Sequence, residues 1–240
     1  MSYGKLYLIP TPLGEGQPAD VLPAPVLELL PALDRFVVEE TRTARRFLSQ
    51  AGLKGHIGEL EFHELNEHTD PAQVEAFLPL FSDGHSVGLL SEAGLPAVAD
   101  PGALLVALCH RHGIEVVPLV GPSSLMLALM ASGLNGQSFA FAGYIPAKTE
   151  ERRAALRNLE KRSSQFRQTQ ILIETPYRND ALFADMLQCL GGHTRLCIAA
   201  NLTCPDQFIR TRTVAQWKAA PVQIGKRPCV FLILSETKSL

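Results

Sequence analysis

The chain has 240 residues, 46% of them hydrophobic and 19% charged, with a formal net charge of −2. That balance is enough to bury one or two cores, and it excludes a disordered or fibrous chain. It also excludes recruitment of nucleic acid by a global field, so any such contact needs a local basic patch.

In chain order, KLYLI (5–9) is a short apolar run stopped by Pro10. RFVVE (35–39) is a second, followed by the helical pattern TARRFLSQAG. Apolar spacing predicts a helix over 71–81, with Asp70 as N-cap and Pro71 at the first helical position. VGLL (87–90) is a third strand, and residues 103–112 form a helix stopped by Gly113. EVVPL (115–119) is a fourth strand, running into SSLMLALMASG with Gly133 as its stop. Short, nearly all-apolar strands alternating with helices predict a mostly parallel sheet covered on both faces.

The pattern changes near residue 136. FAFAGYIPAK, a charged helix at 150–162, a strand at 171–175 and a helix at 177–190 come first. RLCIAANL, QFIRTRTV, an amphipathic piece around Trp217 and CVFLIL follow. Closely spaced strands predict a second α/β half with antiparallel pairing. The expected organisation is two α/β domains, residues 1–136 and 137–240.

The five cysteines are odd in number and none has CxxC spacing, which favours reduced, mostly buried thiols over zinc or disulfides. No metal site is expected: His110 and His112 point in different directions on one helix. The N-terminus has no signal-peptide pattern and no apolar run approaches a membrane span, so a cytoplasmic chain is expected, with no membrane partner.

In open α/β sheets, ligands lie beyond the carboxyl ends of the strands. Four such ends are rich in Gly, Pro, Ser and charge: Pro10-Thr11-Pro12-Leu13-Gly14, Glu39-Glu40-Thr41-Arg42, LLSEAGLPAVADPG (89–102) and Gly121-Pro122-Ser123-Ser124. Each alone is an ordinary turn; four on one edge point to a ligand crevice. Gly121–Ser124 offers backbone N–H groups and hydroxyls at a helix start, suited to an anion or simply to capping. There is neither a Walker A loop nor a GxGxxG.

Taken in order, LYLIPTPLG, VVEETRTARRFL, His63-Glu64-Leu65-Asn66-Glu67, LLSEAGLPAVADPG, VVPLVGPSSLMLALMASGL, FAGYIPAK and IETPYR resemble the tetrapyrrole-methylase superfamily of S-adenosylmethionine methyltransferases. The branch most resembled is the ribosomal RNA small subunit methyltransferase I family, over residues 5–235. The resemblance implies two α/β domains with the methyl donor in the cleft between them, a homodimer, and methylation of a ribose 2′-hydroxyl of 16S rRNA in the small ribosomal subunit. By the same resemblance, Pro10, Leu13, Ser91, Glu92, Ala93, Val98, Gly121, Ser123 and Ser124 would contact the donor, together with Tyr144, Ile145, Ala200 and Leu202.

The chain departs from the family pattern in several places. Glu92 and Glu40 stand where Asp is usual, and Ala199–Thr203 replaces a RELTK-like segment. The chain also ends soon after CVFLIL, without the extra C-terminal region of fuller members. A tetrapyrrole C-methyltransferase and a non-catalytic cofactor-binding module are the alternatives.

A sulfonium methyl is already activated, so the chemistry needs alignment and a proton acceptor, not a metal. Glu40, Glu92, Glu174 and His63 are candidates, with Arg42 beside Glu40. Arg153, Arg157 and Lys161 recur every fourth residue and form a candidate basic face for RNA, diluted by Glu150, Glu151 and Glu160. Gly121→Val is expected to abolish donor affinity with little effect on folding.

Overall fold

The computed structural model describes residues 3–235, so the outermost residues of both expected domains, 1–2 and 236–240, lie outside the described residues. The chain divides into two compact units, one ending at Ser123 and one beginning at Ser124.

The first unit is built on β1 (Leu6–Ile9), β2 (Arg35–Val38), β3 (Glu61–Glu64), β4 (Val87–Leu90) and β5 (Val116–Pro118). The spatial order is β3-β2-β4-β1-β5, and every pairing is parallel. Alternation along the strands loads two cores. Leu6, Val37 and Leu89 face Leu105 and Leu108 of α3 (Ala103–Arg111), with Phe77 and Phe81. Ile9, Phe36, Val38 and Leu90 face Val26 of α1 (Ala24–Leu29) and Phe47 and Leu48 of α2 (Thr41–Leu48). Helices thus cover both faces, as the apolar strands require. Gly88 sits mid-sheet because a Cβ there would lie 2.7 Å from Ile9 Cδ1 and 2.8 Å from Phe36.

One local expectation differs from what is found. The stretch Pro71–Gly84 winds as 3₁₀ turns, not as an α-helix, and carries Pro79 inside it. Pro79 supplies no N–H and crowds the preceding turn, while Ser82 and Asp83 leave helical values altogether. Asp70 does cap it, accepting from Ala72 N at 2.9 Å. β3, whose EFHE carries three polar residues and no apolar-run signal, is an edge strand whose Phe62 stacks on Phe36.

In the second unit, β6 (Phe139–Tyr144), β7 (Thr169–Ile173), β8 (Arg195–Ala200), β9 (Phe208–Thr213) and β10 (Cys229–Leu234) order as β6-β7-β10-β8-β9. β6 and β7 are parallel; β10 runs antiparallel to β7 and β8, and β9 antiparallel to β8, giving the expected antiparallel pairing. α4 (Ser124–Ser132) belongs to this unit, where Thr211 Oγ1 donates to Ser132 O at 2.7 Å. On the other face lie α5 (Thr149–Phe166), α6 (Asn179–Cys189) and α7 (Val214–Ala219). Leu156, Leu182, Phe183 and Met186 close the core around Trp217, whose Nε1 donates to Leu196 O at 2.9 Å.

All five cysteines are free, three of them buried. No helix of the described residues is long and apolar enough to cross a membrane.

Candidate functional site

Strands β2, β4 and β1 are neighbours, so the loops leaving their carboxyl ends meet. Thr11 bridges Gly94 through two backbone hydrogen bonds, Thr11 N to Gly94 O at 2.9 Å and Gly94 N to Thr11 O at 3.1 Å. Thr11 Oγ1 also donates to Ser91 O at 3.3 Å. Gly121, after β5, packs so closely on Pro10 that a Cβ would stand 2.2 Å from Pro10 Cβ. Gly94 takes φ +81°, with Leu13 beside it. Loops from three strands are thereby fastened into one wall.

A cavity of about 470 Å³ opens against that wall. Leu13, Ser91, Glu92 and Ala93 line it together with Thr11, and α2 supplies its other side through Thr43, Arg46 and Phe47. Ser91 is only 8% exposed, and its hydroxyl has no hydrogen-bond partner. A buried, unpaired hydroxyl carries a desolvation cost that a ligand's polar atom would offset. A neighbouring cavity of about 350 Å³ is lined by Glu40, Arg42, Thr43 and Arg46.

Glu40 is the N-cap of α2. Its two carboxylate oxygens accept from Arg42 N and Thr43 N, each at 2.8 Å. These backbone hydrogen bonds, from Arg42 first, hold its carboxyl below the usual range. The longer side chain reaches both amides, which makes Glu serve where shorter caps are preferred. Glu92 likewise reaches across to α2, where Thr43 Oγ1 lies 2.5 Å from its Oε1.

Behind them lies a carboxyl pair that sequence reading did not single out. Glu39 Oε1 accepts from Glu92 N at 3.2 Å, while Asp100 Oδ1 accepts from Ala97 N at 3.0 Å and Gly102 N at 2.6 Å. Asp100 thus ties together a loop in which Ala97 and Ala99 both adopt left-handed φ, 65° and 59°. Such backbone strain clusters at ligand sites. Burial pushes the Glu39 carboxyl up to about 7, and the adjacent Asp100 carboxylate adds repulsion and a hydrogen bond to the protonated form. The one available signal was that Glu39 ends an all-apolar strand and so cannot turn freely into water.

Because the folded-state value lies above the ordinary Glu value, this stabilisation is full below the unfolded pKa and is lost as pH rises through about 7. Glu39→Gln, neutral at every pH, is expected to melt close to the parent at about pH 5 and above it at about pH 8. Thermal melts at the two pH values check this; a constant difference across that range would remove the shared proton from the account.

Other candidates fall elsewhere. His63 pairs with Val37 in register and meets Phe77 edge-on at 6.5 Å, on the sheet face opposite α2, with Nε2 buried and unpartnered. Val98 is exposed between the two strained alanines. Val98, Gly121 and Ser123 do not line the 470 Å³ cavity.

In the second unit, β6, β7 and β8 run parallel in space, so Tyr144, Ile145, Glu174, Ala200 and Leu202 all belong to one sheet edge. Ser124 starts α4. Glu174 is buried, with Oε1 accepting from Thr175 N at 2.7 Å and from Arg178 Nη2 at 2.6 Å, while Oε2 has no partner. After β8, Asn201 and Thr203 take left-handed φ of 49° and 69°. The basic face of α5 is partly spent within the fold. Arg153 Nε donates to Asp185 Oδ1 at 2.7 Å, whereas Arg157 and Lys161 line an open groove with Gly191 and His193.

Comparison with known proteins places this geometry. The profile of the family described as Tetrapyrrole (Corrin/Porphyrin) Methylases matches residues 5–217. The chain is 33% identical over 231 residues to Ribosomal RNA small subunit methyltransferase I of Vibrio cholerae, covering 95% of this chain and 76% of that protein. It is 34% identical over 202 residues to the protein of the same name from Escherichia coli O157:H7, covering 84% of this chain and 66% of that one, slightly under two thirds of its length. Among solved structures it is similar to uroporphyrin-III C-methyl transferase from Thermus thermophilus complexed with S-adenyl homocysteine, with 17% identity and TM-score 0.56, covering 97% of this chain and 98% of that one. It is also similar to the methyltransferase CobJ, with 15% identity and TM-score 0.62, covering 97% of this chain and 94% of that one. These two likenesses concern the fold.

Proposed function

Since the chain belongs to the tetrapyrrole methylase family, we propose that it is an S-adenosylmethionine-dependent methyltransferase that acts on a ribose 2′-hydroxyl of small-subunit ribosomal RNA. The observation that carries this reading is the fastening of three strand-end loops into one wall, with a cavity beside it that Leu13, Ser91, Glu92 and Ala93 line. The relatives named for ribosomal RNA support the acceptor class.

The donor fits the residues present. Ser91 and Ala93 offer polar and small surface at the end of β4, and Gly121 and Ser123 do so after β5. In the second unit, Tyr144, Ile145, Glu174, Ala200 and Leu202 gather at the carboxyl edge of that unit's own sheet. When bound, S-adenosylmethionine supplies a methyl group on a sulfonium, already activated for transfer to a nucleophile. The protein's task is then to align the acceptor oxygen and receive its proton. Of the two carboxylates that line the cavity, Glu15 and Glu92, Glu92 is the one held by a side chain of α2, Thr43, and is placed for that proton. Glu40, with both oxygens committed to α2, positions the helix instead.

The test is transfer of radiolabelled methyl from S-adenosylmethionine to small ribosomal subunits, followed by nucleotide mapping. Label on a ribose 2′-oxygen is the expected result, and Glu92→Gln should cut the rate by about 10²–10⁴-fold. Label entering only a porphyrinoid would overturn the acceptor assignment. Donor binding without transfer to any acceptor would overturn catalysis itself.

A further inference from the structure

Glu39 follows β2 directly, and Asp100 lies in the loop that follows β4. Glu39 Oε1 accepts from the backbone N of Glu92 at 3.2 Å, so it holds the residue assigned to the proton transfer. Asp100 Oδ1 accepts from Ala97 N and Gly102 N, which keeps the turn through Ala97 and Ala99 in its left-handed φ. Asp100 Oδ2 is buried and has no fixed donor. Its neighbour is the Glu39 carboxyl. Two carboxylates side by side repel, and one proton between them replaces that repulsion with a hydrogen bond. The orphaned oxygen is thereby satisfied. The other charged groups around Glu39 are committed elsewhere. Glu40 caps α2 with Arg42 beside it, Glu64 accepts from Thr41, and the Glu92 carboxylate reaches Thr43. Glu92 adds only further negative charge at Glu39.

We propose that Glu39 and Asp100 are positioning residues for methyl transfer: sharing one proton, they fix the backbone of Glu92 and with it the Ser91–Ala93 lining of the cavity. Neither group touches a substrate; both act through the loop. Ser91, Glu92 and Ala93 all line the cavity, so a shift of this loop displaces the donor's contacts and the proton acceptor together. A misplacement of about 1 Å can cost about 10²-fold in rate. A proton acceptor acting alone gives a rate that rises with pH to a plateau. The carboxyl pair adds a fall at higher pH. Burial, and then the neighbouring Asp100 charge, keep the Glu39 proton in place up to about 7. Above that value two carboxylates face each other and push the loop apart. The inference rests on the methyltransferase reading above and adds what holds its proton acceptor.

The experiment measures kcat and KM for methyl transfer to small ribosomal subunits by the full chain, from about pH 5 to about pH 9. Parent kcat is expected to fall on the alkaline side of about 7. Glu39→Gln and Asp100→Asn each put a fixed amide N–H where the shared proton was. Both should keep the low-pH kcat of the parent and hold it through alkaline pH. Glu39→Ala should lose about 10²-fold in kcat at every pH, with KM for the subunit moving far less. A thermal melt checks that each variant is folded. If Glu39→Ala does not fold, the two amide variants still carry the test through the alkaline limb. A parent rate that climbs to a plateau without falling overturns the proposal. So does a Glu39→Gln profile that falls with the parent's, or a Glu39→Ala kcat equal to the parent's. If the parent methylates no ribosomal RNA, the acceptor assignment fails and calorimetry with S-adenosylmethionine decides the pair separately. Affinity about tenfold weaker in Glu39→Ala and restored in Glu39→Gln supports it; equal affinity in Glu39→Ala and parent, or no donor binding by the parent, ends it.

Discussion

Asp185→Ala is expected to lower the unfolding free energy of the second unit by about 3–5 kcal/mol, the cost of leaving a buried charge without its partner. The Arg152 and Asp185 side chains are 7% and 6% exposed, and Asp185 Oδ2 accepts from Arg152 Nε at 2.7 Å and from Nη2 at 2.5 Å. Arg153 Nε occupies the other oxygen at 2.7 Å. Removing the carboxylate strands the Arg152 guanidinium between α5 and α6 with little more than Ala147 O to meet it. Replacing the whole cluster with apolar residues would cost far less, because the penalty comes from the orphaned cation and not from the pair.

The sign of the pH effect is fixed by the same geometry. Burial alone would raise the Asp185 carboxyl, but hydrogen bonds from Arg153 and Arg152 overcome it and hold the group below the usual range. The stabilisation is therefore present above the unfolded value and is lost as pH falls through the depressed folded value. Urea unfolding at neutral pH should show the full difference between parent and variant, and the difference should shrink in acid. A neutral-pH difference under about 1 kcal/mol would put this cluster with ordinary surface bridges.

This cluster also shows where sequence reading runs short. Arg153 looks like a member of a basic helix face with Arg157 and Lys161, and nothing in TEERRAALRNLEKR reveals that Asp185, on another helix, claims both it and Arg152. Periodicity reports a face, and partners on other elements are set by tertiary packing. The four apolar strands of the first unit were legible because each is an apolar run bounded by turn chemistry. β3 was not, because an edge strand with Glu61, His63 and Glu64 carries the composition of a loop. In the candidate site, the loop at Ser91–Ala93 was visible from its small and backbone-shaping residues. Glu39, Asp100 and Arg46 were not, since their roles arise only when β2, β4 and α2 are brought side by side.

Gly121→Val tests how far that wall is one mechanical piece. From sequence the substitution looks like a local insult to a ligand loop that leaves the fold alone. The structure makes it both. A Cβ at this position would lie 2.2 Å from Pro10 Cβ, 2.5 Å from Pro10 Cγ and 3.2 Å from Leu22 Cδ2. Pro10 is buried and its ring cannot swing aside, so the chain after β5 must move away from the chain after β1. Overpacking of this kind costs about 1–3 kcal/mol, which corresponds to a drop in Tm of about 2–12 °C for a chain of this size. The displaced segment carries Ser123, so S-adenosylmethionine affinity, read by calorimetry, should fall with it. Because the first added carbon already collides, Gly121→Ala should fail in the same direction as Val, whereas a purely steric block of a ligand would grade with side-chain size. A Val variant with unchanged Tm and lost donor affinity would mean that the β1 and β5 loops move independently, and Pro10 would then be no part of the wall.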